Sequence, residues 1–122
     1  QVPEIVDLYW PGPLTAVVET NEEFADGVGT KQPHTIGLRV PENETALQLL
    51  NEIGPLAVTS ANVSGEKEAT DNDEAFTMFG DDIAYYLEGK AVHGDGSTVV
   101  DFRVTGGEIL RQGPLKWPPT YC

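Results

Sequence analysis

These 122 residues predict an α/β fold built on a mixed, twisted sheet. Three observations lead there. Short runs of strand length recur at residues 14–19, 35–40, 56–60, 83–87, 97–102 and 108–111. Segments of helical period interrupt them, the clearest over residues 43–53. Strands outnumber helices toward the C-terminus, for about five or six strands and three helices in all. A chain of this length furnishes one modest core, so one domain is expected over residues 1–114, followed by an irregular tail at 115–122.

Residues 2–10 place Val2, Ile5, Val6 and Tyr9 on one helical face, with Pro3 and Glu4 suited to a first turn. Pro11 and Pro13 end that helix, and Gly12 between them supplies a bend. Residues 14–19 read as a strand centred on Ala16, Val17 and Val18. Residues 20–34 are polar, hold Gly27 and Gly29, and read as a long connection or hairpin arm. The strand over 35–40 is closed by Pro41. Its alternation puts Ile36, Leu38 and Val40 on one face and Thr35, Gly37 and Arg39 on the other. That second face offers a hydroxyl, a bare stretch of backbone and a cation. It suits a small anion lying close to the main chain, and it is also the pattern of an ordinary half-exposed strand.

The helix over 43–53 keeps Leu47, Leu50 and Ile53 in register and stops at Gly54. The apolar run at 56–60 resembles a buried strand, and it opens into a polar loop closed by Gly65. Open α/β sheets hold ligands at the carboxyl edge of such strands. Thr70 or Asp71 caps a short helix through Phe79, stopped by Gly80. Residues 83–87, with two tyrosines, read as a strand. Gly94-Asp95-Gly96 leads into the strand at 97–102, and Gly106-Gly107 turns it back into 108–111. Pro114, Pro118 and Pro119 make the tail irregular.

Twenty acidic residues against seven basic ones give a formal charge of −13. Nucleic-acid binders show the opposite balance, because cations neutralising phosphate supply most of their affinity. Direct nucleic-acid binding is therefore not expected. No apolar run reaches the ~20 residues of a membrane span. Cys122 is the only cysteine and the histidines are His34 and His93, too few for a disulfide or a metal cage. A reducing, cytoplasmic setting is expected. No nucleophile–histidine pair and no glycine-rich loop with lysine is present, so no catalytic residue and no protein metal site is assigned. What remains is a set of hydroxyls, an amide and arginines at strand ends: Thr35, Arg39, Ser60, Asn62, Ser97 and Arg111. Such groups hold phosphate and carboxylate oxygens in place, which is most of what chemistry at a nucleotide phosphate needs.

Five blocks occur in order: Trp10-Pro11-Gly12-Pro13-Leu14-Thr15, Gly37-Leu38-Arg39-Val40-Pro41, Ser60-Ala61-Asn62-Val63-Ser64-Gly65, Ser97-Thr98-Val99-Val100-Asp101 and Ile109-Leu110-Arg111. Together they resemble the YrdC-like family, the L-threonylcarbamoyladenylate synthases. The resemblance implies a YrdC-like twisted mixed sheet with flanking helices. It implies a reaction in which L-threonine, bicarbonate and ATP, with Mg²⁺, give threonylcarbamoyl-AMP and pyrophosphate. A downstream transferase complex then modifies tRNA with threonylcarbamoyladenosine. By block matching, Arg39, the Val58 backbone and Ser97 would meet L-threonine, and Thr35, Ser60, Asn62 and Arg111 would meet ATP. Two other members of the fold's repertoire compete: a non-catalytic RNA-binding module, and the carbamoyl-adenylate-forming domain of a hydrogenase-maturation carbamoyltransferase. The net charge argues against the first and the lack of zinc-binding cysteines against the second.

Two departures matter. Glu68 stands where the family carries a serine near ATP, and a carboxylate facing triphosphate is unfavourable without Mg²⁺ or Lys67 between them. The family's opening Thr-x-x-Tyr-Gly and Lys-x-Arg motifs do not occur here. The chain is therefore expected to be a fragment lacking the N-terminal portion, with weak or no synthase activity by itself.

Overall fold

The computed structural model describes residues 3–31, 33–59, 61–62, 65–91 and 96–118. The chain divides into two units, one of Gln1–Glu42 with Ser97–Cys122 and the other of Asn43–Gly96.

The first unit carries the sheet. Its strands are β1 (Leu14–Glu19), β2 (Thr30–Lys31), β3 (His34–Leu38), β4 (Thr98–Asp101) and β5 (Glu108–Arg111), in spatial order β2-β3-β1-β4-β5. Central β1 runs antiparallel to β3 and parallel to β4, while β2 and β5 pair antiparallel at the two edges. The sheet is mixed, as the sequence predicts.

Alternation along β1 separates two faces. Leu14, Ala16 and Val18 are buried on one, and Thr15 and Val17 are half-buried on the other. Register carries that division across the sheet, because Val100 lies opposite Ala16 and joins the same core. Val6 and Trp117 complete the buried cluster, with Tyr9, Trp10, Phe102, Ile109 and Leu115 packed against it. Full burial of a side chain such as Leu14 contributes about 1.5–3 kcal/mol. The irregular tail thus gives two of its residues, Leu115 and Trp117, to this core.

The helix expected over residues 2–10 is a five-residue 3-10 helix over Glu4–Leu8. Prolines at 3 and 11 leave too short a span for an α-helix to propagate, and 3-10 geometry suits short pieces. It still delivers Val6 to the core.

Gly107 shows how tightly this core is filled. Its φ of 82° already favours glycine, and a Cβ there would lie 2.8 Å from Val100 Cγ1 and 3.1 Å from Trp117 Cζ2. Gly107→Ala is expected to destabilise the unit by about 1–3 kcal/mol. The urea midpoint should fall while the slope of the transition stays unchanged.

The second unit holds both α-helices. In α1 (Glu44–Ile53) the Asn43 side chain accepts from Ala46 N at 3.0 Å, and Gly54 at φ 83° ends the helix. In α2 (Asn72–Phe79) Asp71 accepts from Glu74 N at 2.8 Å, and Gly80 ends it. Both stops are those the sequence predicts, and Asp71 is one of the two caps it offers for α2, while Asn43, expected as the first residue of its helix, is the cap before it. Two expected strands do not form. Residues 56–59 belong to no strand, with Leu56 46% and Val58 87% exposed. Ser60, the end of that run, lies outside the described residues. Residues 83–87 form no strand either. Tyr85 is 77% exposed, and Tyr86 donates its hydroxyl to Gly80 O at 2.8 Å and stacks edge-on against Phe76. A strand exists by its ladder, and an apolar run supplies the side chains of a strand without supplying its neighbour. Among the described residues no helix is long and apolar enough to cross a membrane.

Candidate functional site

The sheet face opposite the core is built from alternate positions. On β1 these are Thr15 and Val17, and on β3 they are Thr35 and Gly37, which register places opposite Glu19 and Val17. Arg39 follows one residue beyond β3, in step with Thr35 and Gly37. On β4 the matching positions are Val99 and Asp101, and Val99 lies opposite Arg111 of β5. The hydroxyl, bare glycine and cation read from strand alternation therefore do share a face. Gly37 leaves that face flat, since a Cβ there would stand 3.2 Å from Thr15 Cγ2.

Arg39 is held at its base. Its Nε donates to Gly12 O at 3.2 Å, and Gly12 N donates to Val40 O at 2.8 Å, so the Trp-Pro-Gly-Pro turn and the end of β3 clamp one another. Gly12 is required for this approach, because a Cβ would come within 2.2 Å of Tyr9 O. Burial first, and the neighbouring Arg111 guanidinium second, hold the Arg39 group below its ordinary pKa. Arg111 in turn donates Nη2 to Ser97 O at 2.7 Å. Ser97 is buried, and its Oγ shares a 2.7 Å hydrogen bond with Thr15 Oγ1. Arg39, Arg111, Ser97 and Thr15 thus form one connected corner. Among the described residues the salt bridges are Lys31–Glu23 and Arg103–Asp101. Neither Arg39 nor Arg111 has a carboxylate in contact there, although the chain is strongly acidic. Two like charges side by side repel, and an anion between them reverses that penalty.

Further along the same face lies a cavity of about 410 Å³ lined by Val17, Gly29, Thr30, Pro33, Thr35, Gly37, Arg103 and Leu110. Its volume is within the range of small-molecule sites, about 300–1,000 Å³. The Thr35 hydroxyl, in a residue 6% exposed, contacts Thr30 Oγ1 at 2.6 Å. At another edge Arg103 grips Asp101 through Nε and Nη2, the latter at 2.7 Å from Oδ2. Those side-chain hydrogen bonds hold the Asp101 carboxyl below its ordinary value, against the upward push of burial. A carboxylate with a lowered folded pKa adds stability above its unfolded pKa, and that stability is lost as pH falls through the folded value. Acid unfolding below about pH 4 should therefore include Asp101, and Asp101→Asn should flatten that part of a stability-versus-pH profile while lowering stability at neutral pH.

The remaining expected contacts fall in the second unit. Val58 is exposed, and Asn62 donates Nδ2 to Glu66 O at 2.9 Å while Ala69 N bonds Ala61 O, so this loop is closed by its own hydrogen bonds. Ser60 lies outside the described residues. Sequence reading overlooked Thr15 and Thr30. Thr15 had a signal, being the polar residue that alternates with Leu14 and Ala16. Thr30 had none, since it belongs to a two-residue strand inside a polar stretch.

Residues 1–113 match the model of the Sua5/YciO/YrdC family, described as telomere recombination. A Mycobacterium tuberculosis protein provisionally named threonylcarbamoyl-AMP synthase is 37% identical over 113 residues, which is 92% of this chain and 52% of that protein. The crystal structure of Pyrococcus abyssi Sua5 complexed with L-threonine superposes with a TM-score of 0.82 at 32% identity, over 94% of this chain and 35% of that one. Escherichia coli YciO shares the fold, with a TM-score of 0.69 at 24% identity over 88% of this chain and 53% of that one. The chain spans about half the length of the mycobacterial relative and about a third of the archaeal one.

Proposed function

The chain belongs to the Sua5/YciO/YrdC family, and on that premise we propose that it forms part of the site of a threonylcarbamoyl-AMP synthase. The L-threonine amine bonds to the carbon of bicarbonate with loss of water, giving a carbamate whose oxygen attacks the α-phosphorus of ATP. The bond to pyrophosphate breaks, and threonylcarbamoyl-AMP is left for a downstream tRNA-modifying transferase in the cytoplasm. The carbamate is already an anion, so the adenylation step needs no protein base. It needs two anions held in line and their charge offset.

The observation that carries this reading is the Arg39–Arg111 corner. Arg39 has one nitrogen committed to Gly12 O and its fork left to grip the threonine carboxylate bidentately. Ser97 is a further amino-acid contact within the sheet-bearing unit, and the Val58 backbone is assigned to threonine by the resemblance alone. Arg111 stands beside Arg39 to meet the nucleotide phosphates, with Thr35 as a further ATP contact in the same unit; Asn62 and Ser60 are assigned to ATP by the resemblance alone. Among the described residues no group of three carboxylate, imidazole or thiol side chains is gathered to hold a metal. Mg²⁺ would therefore reach this site on the nucleotide's own oxygens, as it commonly does.

Calorimetric titration of the intact gene product with L-threonine and then ATP tests the assignment. Saturable threonine binding, followed by bicarbonate-dependent pyrophosphate release, is the expected result. Pyrophosphate release that ignores threonine, or no binding of either ligand, would refute it.

A further inference from the structure

Ser97 stands just before β4, and its main chain is held from three directions. Arg111 Nη2 donates to Ser97 O at 2.7 Å, and Thr98 N of the same peptide unit donates to Pro13 O at 2.8 Å. Gly113 lies flush against that peptide, because a Cβ there would come within 2.5 Å of Ser97 C and 2.7 Å of Thr98 N. Thr98 Oγ1 fastens the contact by accepting from Gly113 N at 3.0 Å and donating to Leu115 O at 2.6 Å. With the backbone fixed, the freedom left to Ser97 is rotation of its side chain and of its hydroxyl proton.

Thr15 removes that freedom. Its Oγ1 is 2.7 Å from Ser97 Oγ, a bond in which either hydroxyl can be the donor. β1 lies between β3 and β4, and the two branches of Thr15 divide between them. Cγ2 faces β3, where Gly37 leaves it room, since a Cβ on residue 37 would stand 3.2 Å from that methyl. Oγ1 is thereby turned toward the β4 side and Ser97. A β-branched residue has few rotamers open to it, so this aim is well defined. When Thr15 gives its one proton to Ser97, the Ser97 proton stays available for an anion in the Arg39–Arg111 corner. Each bond of such a chain polarises and strengthens the next.

Resting on the synthase reading, we infer that Thr15 is a positioning residue for L-threonine. It orients the Ser97 hydroxyl and donates to it, so that Ser97 donates onward to an oxygen of the bound amino acid beside Arg39. Gly37 belongs to the same device by seating the Thr15 methyl. Thr15 acts on the substrate through Ser97 alone.

The experiment titrates the intact gene product with L-threonine and, separately, with ATP. Its variants are Thr15→Val, Thr15→Ala, Thr15→Ser, Ser97→Ala and the double change Thr15→Val with Ser97→Ala. Thr15→Val keeps the branched shape and loses the hydroxyl, and it should weaken threonine binding about three- to tenfold. Thr15→Ala should do the same, while Thr15→Ser should stay within about twofold of wild type. Ser97→Ala should weaken threonine binding at least as much, and adding Thr15→Val to it should cost nothing further. A residue with a merely structural role would show no such non-additivity. ATP affinity without threonine should hold within about twofold throughout. Full threonine affinity in Thr15→Val, additive losses in the double variant, an unaltered Ser97→Ala or a Thr15→Ser as weak as Thr15→Val would each overturn the inference. An equal loss of ATP affinity would overturn it too. In all of these cases threonine-dependent pyrophosphate release by the wild type would leave the synthase reading standing. A wild type that binds neither threonine nor ATP overturns both.

Discussion

Arg39→Met is expected to weaken L-threonine binding by about 10- to 150-fold, because a hydrogen-bonded charge pair is worth about 1.5–3 kcal/mol. The same variant should be no less stable than wild type when free of ligand, and by a few tenths of a kcal/mol it should be more so. The two effects have opposite signs for one physical reason. Among the described residues Arg39 makes a single side-chain hydrogen bond, to Gly12 O. It is partly desolvated and repelled by Arg111, which is why its ionisation is disfavoured. Replacing it removes that repulsion and leaves an apolar stem of similar length. Arg39→Lys should recover only part of the affinity, since an ammonium cannot present a planar fork to a carboxylate. Calorimetry with threonine, paired with urea denaturation in its absence, reads both halves. A stability loss as large as the binding loss would make Arg39 a structural residue and remove it from the site.

Why Arg39 was readable from sequence, and Thr30 and Ser97's partner were not, follows from the range of each interaction. The period of a strand fixes which side chains share a face, so Thr35, Gly37 and Arg39 could be grouped with no knowledge of the strand's neighbours. The cap at Asp71, one of the two candidates, and the stops at Gly54 and Gly80 are equally local, and each stands where the sequence reading allows it. The Ser97–Thr15 hydroxyl pair joins residues 82 apart through the parallel pairing of β1 with β4. Nothing in either segment announces the other. The same blindness explains residues 56–59 and 83–87. Their composition is that of a strand, yet strand formation depends on a partner ladder that composition does not encode.

Trp117→Ala should be the most destabilising single change in the sheet-bearing unit, at about 3–5 kcal/mol. The indole is 4% exposed, stands edge-on to Tyr9 at 5.9 Å and to Phe102 at 5.5 Å, and packs over Gly107. It closes a core in which, among the described residues, β1 and β4 supply Leu14, Ala16 and Val100 as the fully buried hydrophobic side chains. A small core has little redundancy, so the cavity left by an indole cannot be refilled by nearby side chains. Trp117→Phe separates the ring from its polar atom. The indole Nε1 is buried with no hydrogen-bond partner among the described residues, and an unsatisfied buried donor costs about 1–3 kcal/mol. Phenylalanine gives up part of the packing and removes that cost, so it should fall within about 1.5 kcal/mol of wild type. Urea midpoints at constant slope decide the matter. If Trp117→Phe proved as damaging as Trp117→Ala, the indole N–H would have to be doing what the ring is credited with here, and the core would owe its closure to a hydrogen bond and not to aromatic packing.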